Sequence, residues 1–225
     1  MKKLATLSPG SIFNFAGEQF VVLEQRDGTT FVLLAQSEEH CQFNNKDNTD
    51  NRNDYTCSTL KKRIDKWVDH LPRSSADAEA ILPFEVDLNC TDGSGGYGTA
   101  VVQAAPLTLW QYGRFKELIP LNEDGWYWLV TPWTCRWRHN LYAGDSQAWA
   151  VAGDGSGYYS HTFDSHSIRP ALLLNSGLLV SVNDEAEDGC CRERNSCDRQ
   201  KLIDIFTAPT EVLMAELRKR IYVGN

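Results

Sequence analysis

Two runs of β-branched and aromatic residues, Glu18-Gln19-Phe20-Val21-Val22-Leu23-Glu24 and Thr29-Thr30-Phe31-Val32-Leu33-Leu34-Ala35, flank the turn Arg26-Asp27-Gly28. Glycine after aspartate is the residue a tight hairpin turn favours, so this pattern predicts an antiparallel hairpin. Upstream, Ser11-Ile12-Phe13-Asn14-Phe15 alternates in the same way. A chain that opens on strands needs covering layers, and two helical stripes further along supply candidates.

The first stripe is Leu60, Ile64, Trp67, Val68 and Leu71, spaced i, i+4, i+7, i+8 and i+11. Ser58 is placed to cap it, and Pro72 disfavours helical geometry at Leu71 and so ends it. Lys61-Lys62-Arg63 falls in the first turn, where the helix dipole opposes positive charge, and is read as a solvated face. In the second stripe Thr108 and Gln111 have capping-box spacing, Leu109, Tyr112, Phe115 and Ile119 share a face, and Pro120 stops the helix. Asp92 to Gly98 is read as a turn-rich loop without the Lys-Ser/Thr ending of a phosphate loop. Residues 44–54 are read as a polar, solvated loop whose aspartate spacing does not fit a calcium loop. Downstream, Trp149-Ala150-Val151-Ala152, Ile168 to Leu174 and Leu178 to Val182 are predicted strands, the last after an Asn175-Ser176-Gly177 turn. Asn183 to Arg199 is read as a Cys-bearing loop, and Glu211 to Ile221 as a short helix.

Composition sets the boundary conditions. With 42% hydrophobic residues in 225, the chain has apolar material for a core without metal or disulfide. Its net charge of −8 argues against a nucleic-acid partner, because phosphate-binding surfaces run on Lys/Arg excess. No apolar run approaches the ~20 residues of a membrane span, and the start lacks the apolar stretch of a secretory signal. The expected location is therefore cytoplasmic or virion-associated, with no membrane insertion. Seven cysteines, an odd count, include Cys190, Cys191 and Cys197 but form no C-x2-C pair. They are read as free thiols, with no metal site and no cofactor.

Four segments in order resemble a bacterial and phage domain family of the C-type-lectin-like, formylglycine-generating-enzyme-like fold. Asn53-Asp54-Tyr55-Thr56-Cys57-Ser58-Thr59-Leu60 is similar to its N-x-Y-x-x-S-x-L helix start, and Pro106-Leu107-Thr108-Leu109 to its short strand and following helix. Tyr127-Trp128-Leu129-Val130-Thr131-Pro132 resembles its W-W-L-R-S/T-P, and Ile168-Arg169-Pro170-Ala171-Leu172 its V-R-P-A-L. Val130, Trp133 and Ser167 depart from the pattern. The resemblance spans residues 8–182 and implies an α+β fold: a small twisted antiparallel sheet, two flanking helices and long irregular loops that present side chains. The domain is accordingly placed at 1–182, with 183–225 packed on it. Trp126, Trp128 and Leu129 are read as a half-buried strand, and Arg169 as a buried, paired structural arginine.

Chemistry is marked mainly by what is missing. Cys135 has no sequence-near partner for the paired-cysteine copper site of formylglycine-generating enzymes, and the E-P-N, Q-P-D and W-N-D strings of calcium-dependent lectins do not occur. His139, His161, His166 and Asp164 lie among many serines, but no nucleophile elbow selects a triad and no third ligand selects a metal site. No catalytic residue is assigned. The positive signal is that Thr134 to Ser167 holds no Lys, Glu or Met, where roughly four would fall by chance. It holds instead Tyr, Ser, Gly, Asp, His, Trp, Arg and Asn; Tyr, Ser, Gly and Asn with Trp and Arg anchors make up the palette of antibody-like binding surfaces.

Retroelements that mutate Asn codons leave the same three residues inaccessible, so the window is similar to a diversified variable region; a purely structural Gly/Tyr-rich loop is the other reading. The leading expectation is a non-enzymatic protein that binds a protein or glycan. Its candidate ligand-binding residues are Trp133, Arg136, Trp137, His139, Asn140, Tyr142, Asp145, Tyr158, Tyr159, His161, Asp164 and His166. The alternatives are an intracellular phage or defence-related inhibitor acting by protein contact, and an enzyme using the same region as a pocket. Oligomeric state is left open.

Overall fold

A computed structural model describes residues 1–36, 39–45, 52–91, 93, 95–122, 125–134 and 144–182. The chain divides after Asn183, and the described residues belong to the first unit. The sequence readings on Asn183 to Arg199, on Cys190, Cys191 and Cys197 and on the terminal helix lie outside the described residues.

The first half of the unit comprises strands β1 (Lys2–Lys3), β2 (Ile12–Phe15), β3 (Glu18–Arg26), β4 (Thr29–Leu34) and β5 (His40–Gln42), then helices α1 (Thr59–His70) and α2 (Ser75–Ala80). Strands β6 (Ile81–Leu82), β7 (Phe84–Asn89), β8 (Gly96–Val102) and β9 (Ala104–Ala105) precede helix α3 (Leu109–Phe115). The rest is strand: β10 (Tyr127–Pro132), β11 (Gln147–Val151), β12 (Gly157–His161), β13 (Ser165–Ser167), β14 (Ala171–Asn175) and β15 (Leu179–Val180). The architecture is mixed α+β, dominated by antiparallel sheet.

The predicted hairpin is β3–β4, in register from Phe20↔Leu34 to Arg26↔Thr29. Asp27 and Gly28 both have positive φ, +50° and +77°, the pair of values a two-residue type I′ turn requires. Around it a sheet forms in the order β2-β3-β4-β14-β6, with β9 also on β14. Both faces of that sheet are covered. Phe20, Val22, Val32, Leu34 and Leu172 join one core with Leu60, Ile64 and Val68 of α1. Val21, Leu23, Phe31 and Leu33 join the other with Tyr112 and Phe115 of α3. The two helices thus lie on opposite faces, and each buried apolar side chain contributes roughly 1.5–3 kcal/mol.

The second sheet runs β12-β11-β10-β13-β5, antiparallel except at β10–β13. Every residue of β10 is buried, because Trp128 and Val130 enter one core and Tyr127 and Leu129 the other. The half-buried reading is corrected accordingly: a strand between two cores buries both of its alternating faces, and Trp126, just before it, is exposed.

Both helix caps form as expected. Ser58 Oγ accepts from Lys61 N–H at 2.9 Å, and Thr108 and Gln111 make the reciprocal capping box. The second helix is shorter than its stripe. It ends at Phe115, and tighter bonds from Leu118 N to Phe115 O and from Ile119 N to Lys116 O take over.

The Gly-rich stretch also differs, since Gly96, Tyr97 and Gly98 lie in β8. A Cβ on Gly96 would sit 2.4 Å from Asn89 Cα, so this glycine permits the close approach of the two strands at the irregular end of the β7–β8 ladder. Strand β14 starts only at Ala171, after Pro170, which has no N–H to give to a ladder. Arg169 is buried as expected. Its partners are the carbonyls of Leu34 (3.1 Å), Pro120 (3.2 Å) and Ala35 (2.6 Å), and its guanidinium lies 4.7 Å from the Tyr127 ring centroid. Burial lowers the Arg169 pKa and raises that of Tyr127, while their mutual contact opposes both shifts.

Candidate functional site: an aromatic edge on a pinned stem

Strand β10 ends at Pro132, and β11 begins at Gln147 after a 3-10 turn at Gly144–Ser146. Arg136, Trp137, His139, Asn140 and Tyr142, with Cys135, lie outside the described residues between those points. Both flanks are anchored. Trp133 N bonds Gln147 O at 3.1 Å, and Thr162 N bonds Ser146 O at 2.8 Å. Beneath them Asn53, fully buried, donates from its amide to Thr134 O (2.9 Å) and Gln147 O (2.8 Å), and accepts from Tyr97 Oη (2.7 Å). Asn44, also buried, donates its backbone N–H to Thr162 O at 2.9 Å. The solvated reading of residues 44–54 fails at these two asparagines: Asn53 bridges Thr134 and Gln147, and Asn44 is tied to Thr162 just past β12.

Asp145 is a second correction. Proposed from the sequence as a displayed side chain, it is 2% exposed and faces Arg52, with Nη2 to Oδ1 at 3.5 Å. Its Oδ2 and Arg52 Nε, both buried, have no hydrogen-bond partner among the described residues. Asp145 is an interior anchor of the stem.

The other described candidates gather around β12. Tyr158 and Tyr159, adjacent in the strand, point to opposite faces and are 49% and 50% exposed. On one face Tyr158 packs against Trp126 with ring centroids 5.5 Å apart, and Trp126 stacks on His166 at 5.5 Å. On the other, Trp133 lies 4.5 Å from Tyr159 and 5.2 Å from Trp149. Trp149 Nε1 is held by Thr91 Oγ1 at 3.1 Å, so this ring is fixed from behind. At the strand's end His161 stacks on Phe163 at 5.0 Å, nearly coplanar at 10°. Trp126 and Phe163, exposed members of the patch, were missed as site residues. No strand period marks them, since Trp126 precedes β10 and Phe163 follows β12.

Ser160, Asp164 and His166 form one hydrogen-bonded chain. Ser160 Oγ donates to Asp164 Oδ2 at 2.7 Å, and His166 Nε2 lies 2.8 Å from the same Oγ. Since the serine proton goes to the carboxylate, the imidazole Nε2–H is the donor to Oγ. That order does not make a hydrolytic triad, in which the carboxylate orients the imidazole and the imidazole takes the serine proton. Asp164 also accepts from His161 N (3.1 Å) and so closes the β12–β13 turn. Burial against Trp126 and Trp128 lowers the His166 pKa, with Asp164 opposing the shift. Among the described residues no cluster of three His, Cys, Asp or Glu is placed to hold a metal ion. Cys41, the residue opposite His166 in the ladder, is buried, and burial pushes its thiol up to about 12.

No family model matches this chain, and neither a curated protein nor a solved structure does.

Proposed function

We infer that this is a non-enzymatic binding protein on a C-type-lectin-like scaffold, which presents the surface around β12, with residues 134–144, to a protein or glycan. The observation that carries the reading is a set of half-exposed rings, Tyr158, Tyr159, Trp126 and Phe163, of which three are backed by other rings: Trp133 and the cross-strand Trp149 behind Tyr159, and His166, itself against Trp128, behind Trp126 and through it Tyr158. Rigid aromatic area supplies contact at small entropy cost, and the neighbouring His161 adds a polar partner. Antiparallel sheets with helices on opposite faces support the scaffold assignment. On this reading the missing Lys, Glu and Met of residues 134–167 record diversification of a presented surface, in a phage or bacterial protein of the cytoplasm or virion.

The test is a screen of the full chain against an immobilised oligosaccharide panel and a displayed-peptide library. Binding to any hit should fall by about 10- to 100-fold in Tyr159→Ala or His161→Ala, as anchor truncations do. Trp110→Ala, which removes a ring 77% exposed on α3, should leave binding intact. Hits weakened by Trp110→Ala and untouched by the β12 variants would place recognition elsewhere and end the proposal.

A further inference from the structure

Among the described residues, strand β12 is the terminal strand of its sheet. The bonds at the two ends of the β11–β12 ladder, Thr162 N to Ser146 O and Ala152 N to Ser156 O, both 2.8 Å, fix its phase. Hydrogen-bonded pairs recur every second residue in an antiparallel ladder. Tyr158 and Ser160 therefore turn their backbone groups toward β11, and Gly157, Tyr159 and His161 turn theirs to the open side. His161 is already satisfied: its N–H donates to Asp164 Oδ2 and its C=O accepts from Asp164 N at 2.8 Å. Gly157 and Tyr159 remain. Among the described residues nothing pairs with their backbone groups, which lie symmetrically on either side of Tyr158.

We propose that two copies of this chain join edge to edge through β12, with Gly157 and Tyr159 of one copy paired to Tyr159 and Gly157 of the other about a two-fold axis at Tyr158. That arrangement satisfies every free N–H and C=O of the pair, so the edge is its own complement. Tyr158 then faces its copy at the non-hydrogen-bonded position, where side chains approach most closely. Sheet edges are ordinarily blunted with lysine or proline, yet Gly157-Tyr158-Tyr159-Ser160-His161 contains neither and carries no carboxylate. The net charge of −8 per chain opposes approach over longer range, so salt strengthens the association. An edge this short places the dimer among weak, concentration-dependent ones. This inference goes beyond the binding function and is read without ligand, so either can fail alone.

The experiment is sedimentation equilibrium of the full chain from about 10 μM to about 1 mM, at low and physiological salt. The average mass should rise from 25.4 kDa toward twice that value, further at higher salt. Tyr158→Lys, which opposes two ammonium groups at the axis, should hold the mass at 25.4 kDa. Tyr159→Pro should do the same by removing an outward N–H that bonds nothing among the described residues. Melting temperatures near the parent's would show that both variants fold. Hydrogen exchange at Gly157 and Tyr159 should slow as concentration rises. A mass that stays at 25.4 kDa throughout, or dimers undiminished in both variants, overturns the proposal.

Discussion

Asn53→Ala tests whether the stem that flanks residues 134–144 is held as the geometry implies. The substitution deletes two donated bonds, at 2.9 and 2.8 Å, and one accepted bond at 2.7 Å, from a side chain with no exposure. A buried polar group that loses its bond costs ~1–3 kcal/mol. Gln147 O keeps the bond from Trp133 N, so the loss falls mainly on Thr134 O, in a buried residue, and on the half-buried Tyr97, which recovers part of it from water. The expected net loss is ~2–4 kcal/mol. At roughly 2–4 °C per kcal/mol for a body of this size, the melting temperature should fall by about 10 °C. Urea unfolding followed by tryptophan fluorescence measures it directly. Asn53→Asp keeps the acceptor for Tyr97 but turns a carboxylate toward two carbonyls, and should be no milder. Tyr97→Phe alone should cost about 1 kcal/mol. A loss below ~1 kcal/mol in Asn53→Ala, with an unchanged denaturant slope, would mean that the stem does not depend on this amide.

Two further outcomes follow from the same geometry. Trp128→Ala and Leu172→Ala remove fully buried side chains and should each cost ~2–5 kcal/mol, whereas Tyr158→Ala and His161→Ala should cost under ~1 kcal/mol by the same urea titration. Equal losses in the two sets would make the β12 aromatics packing rather than display. His166 is held below its ordinary pKa by burial, so the folded state binds fewer protons than the unfolded one as pH falls. The stability this represents is complete above about pH 6.5, the unfolded value, and drains away as pH drops through the lower folded value. Melting curves from pH 8 to pH 5 should therefore fall more steeply for the parent than for His166→Gln; parallel curves would contradict the assigned environment.

Local chemistry was readable and long-range pairing was not. Helix α1 could be bounded to within a residue because Ser58, Pro72 and the apolar stripe all act within one or two turns. The β3–β4 turn was visible for the same reason, in Asp27-Gly28. The β7–β8 hairpin was hidden because Gly96 and Gly98 read as loop, although Gly96 is there for a close contact with Asn89, a partner that no local window marks. Asn53 and Asp145 looked like surface residues because polarity predicts solvent unless the bonding partners are known. Those partners, Thr134, Gln147 and Arg52, come from elsewhere in the chain. At the candidate site the aromatic composition was legible, but its division into two faces follows from the phase of β12, which only the ladder with β11 sets.

The pairing of β1 with β15 has a mechanical consequence. Lys2 lies opposite Val180 and Lys3 opposite Leu179, so the two ends of the folded unit leave from the same side. A tensile load applied through those ends opens the ladder like a zipper, breaking its few bonds in succession rather than together. Such a clasp yields at low force and recloses readily. Pulled from both ends, the unit should surrender β1 and β15 first, while the strands behind β12 remain under almost no strain.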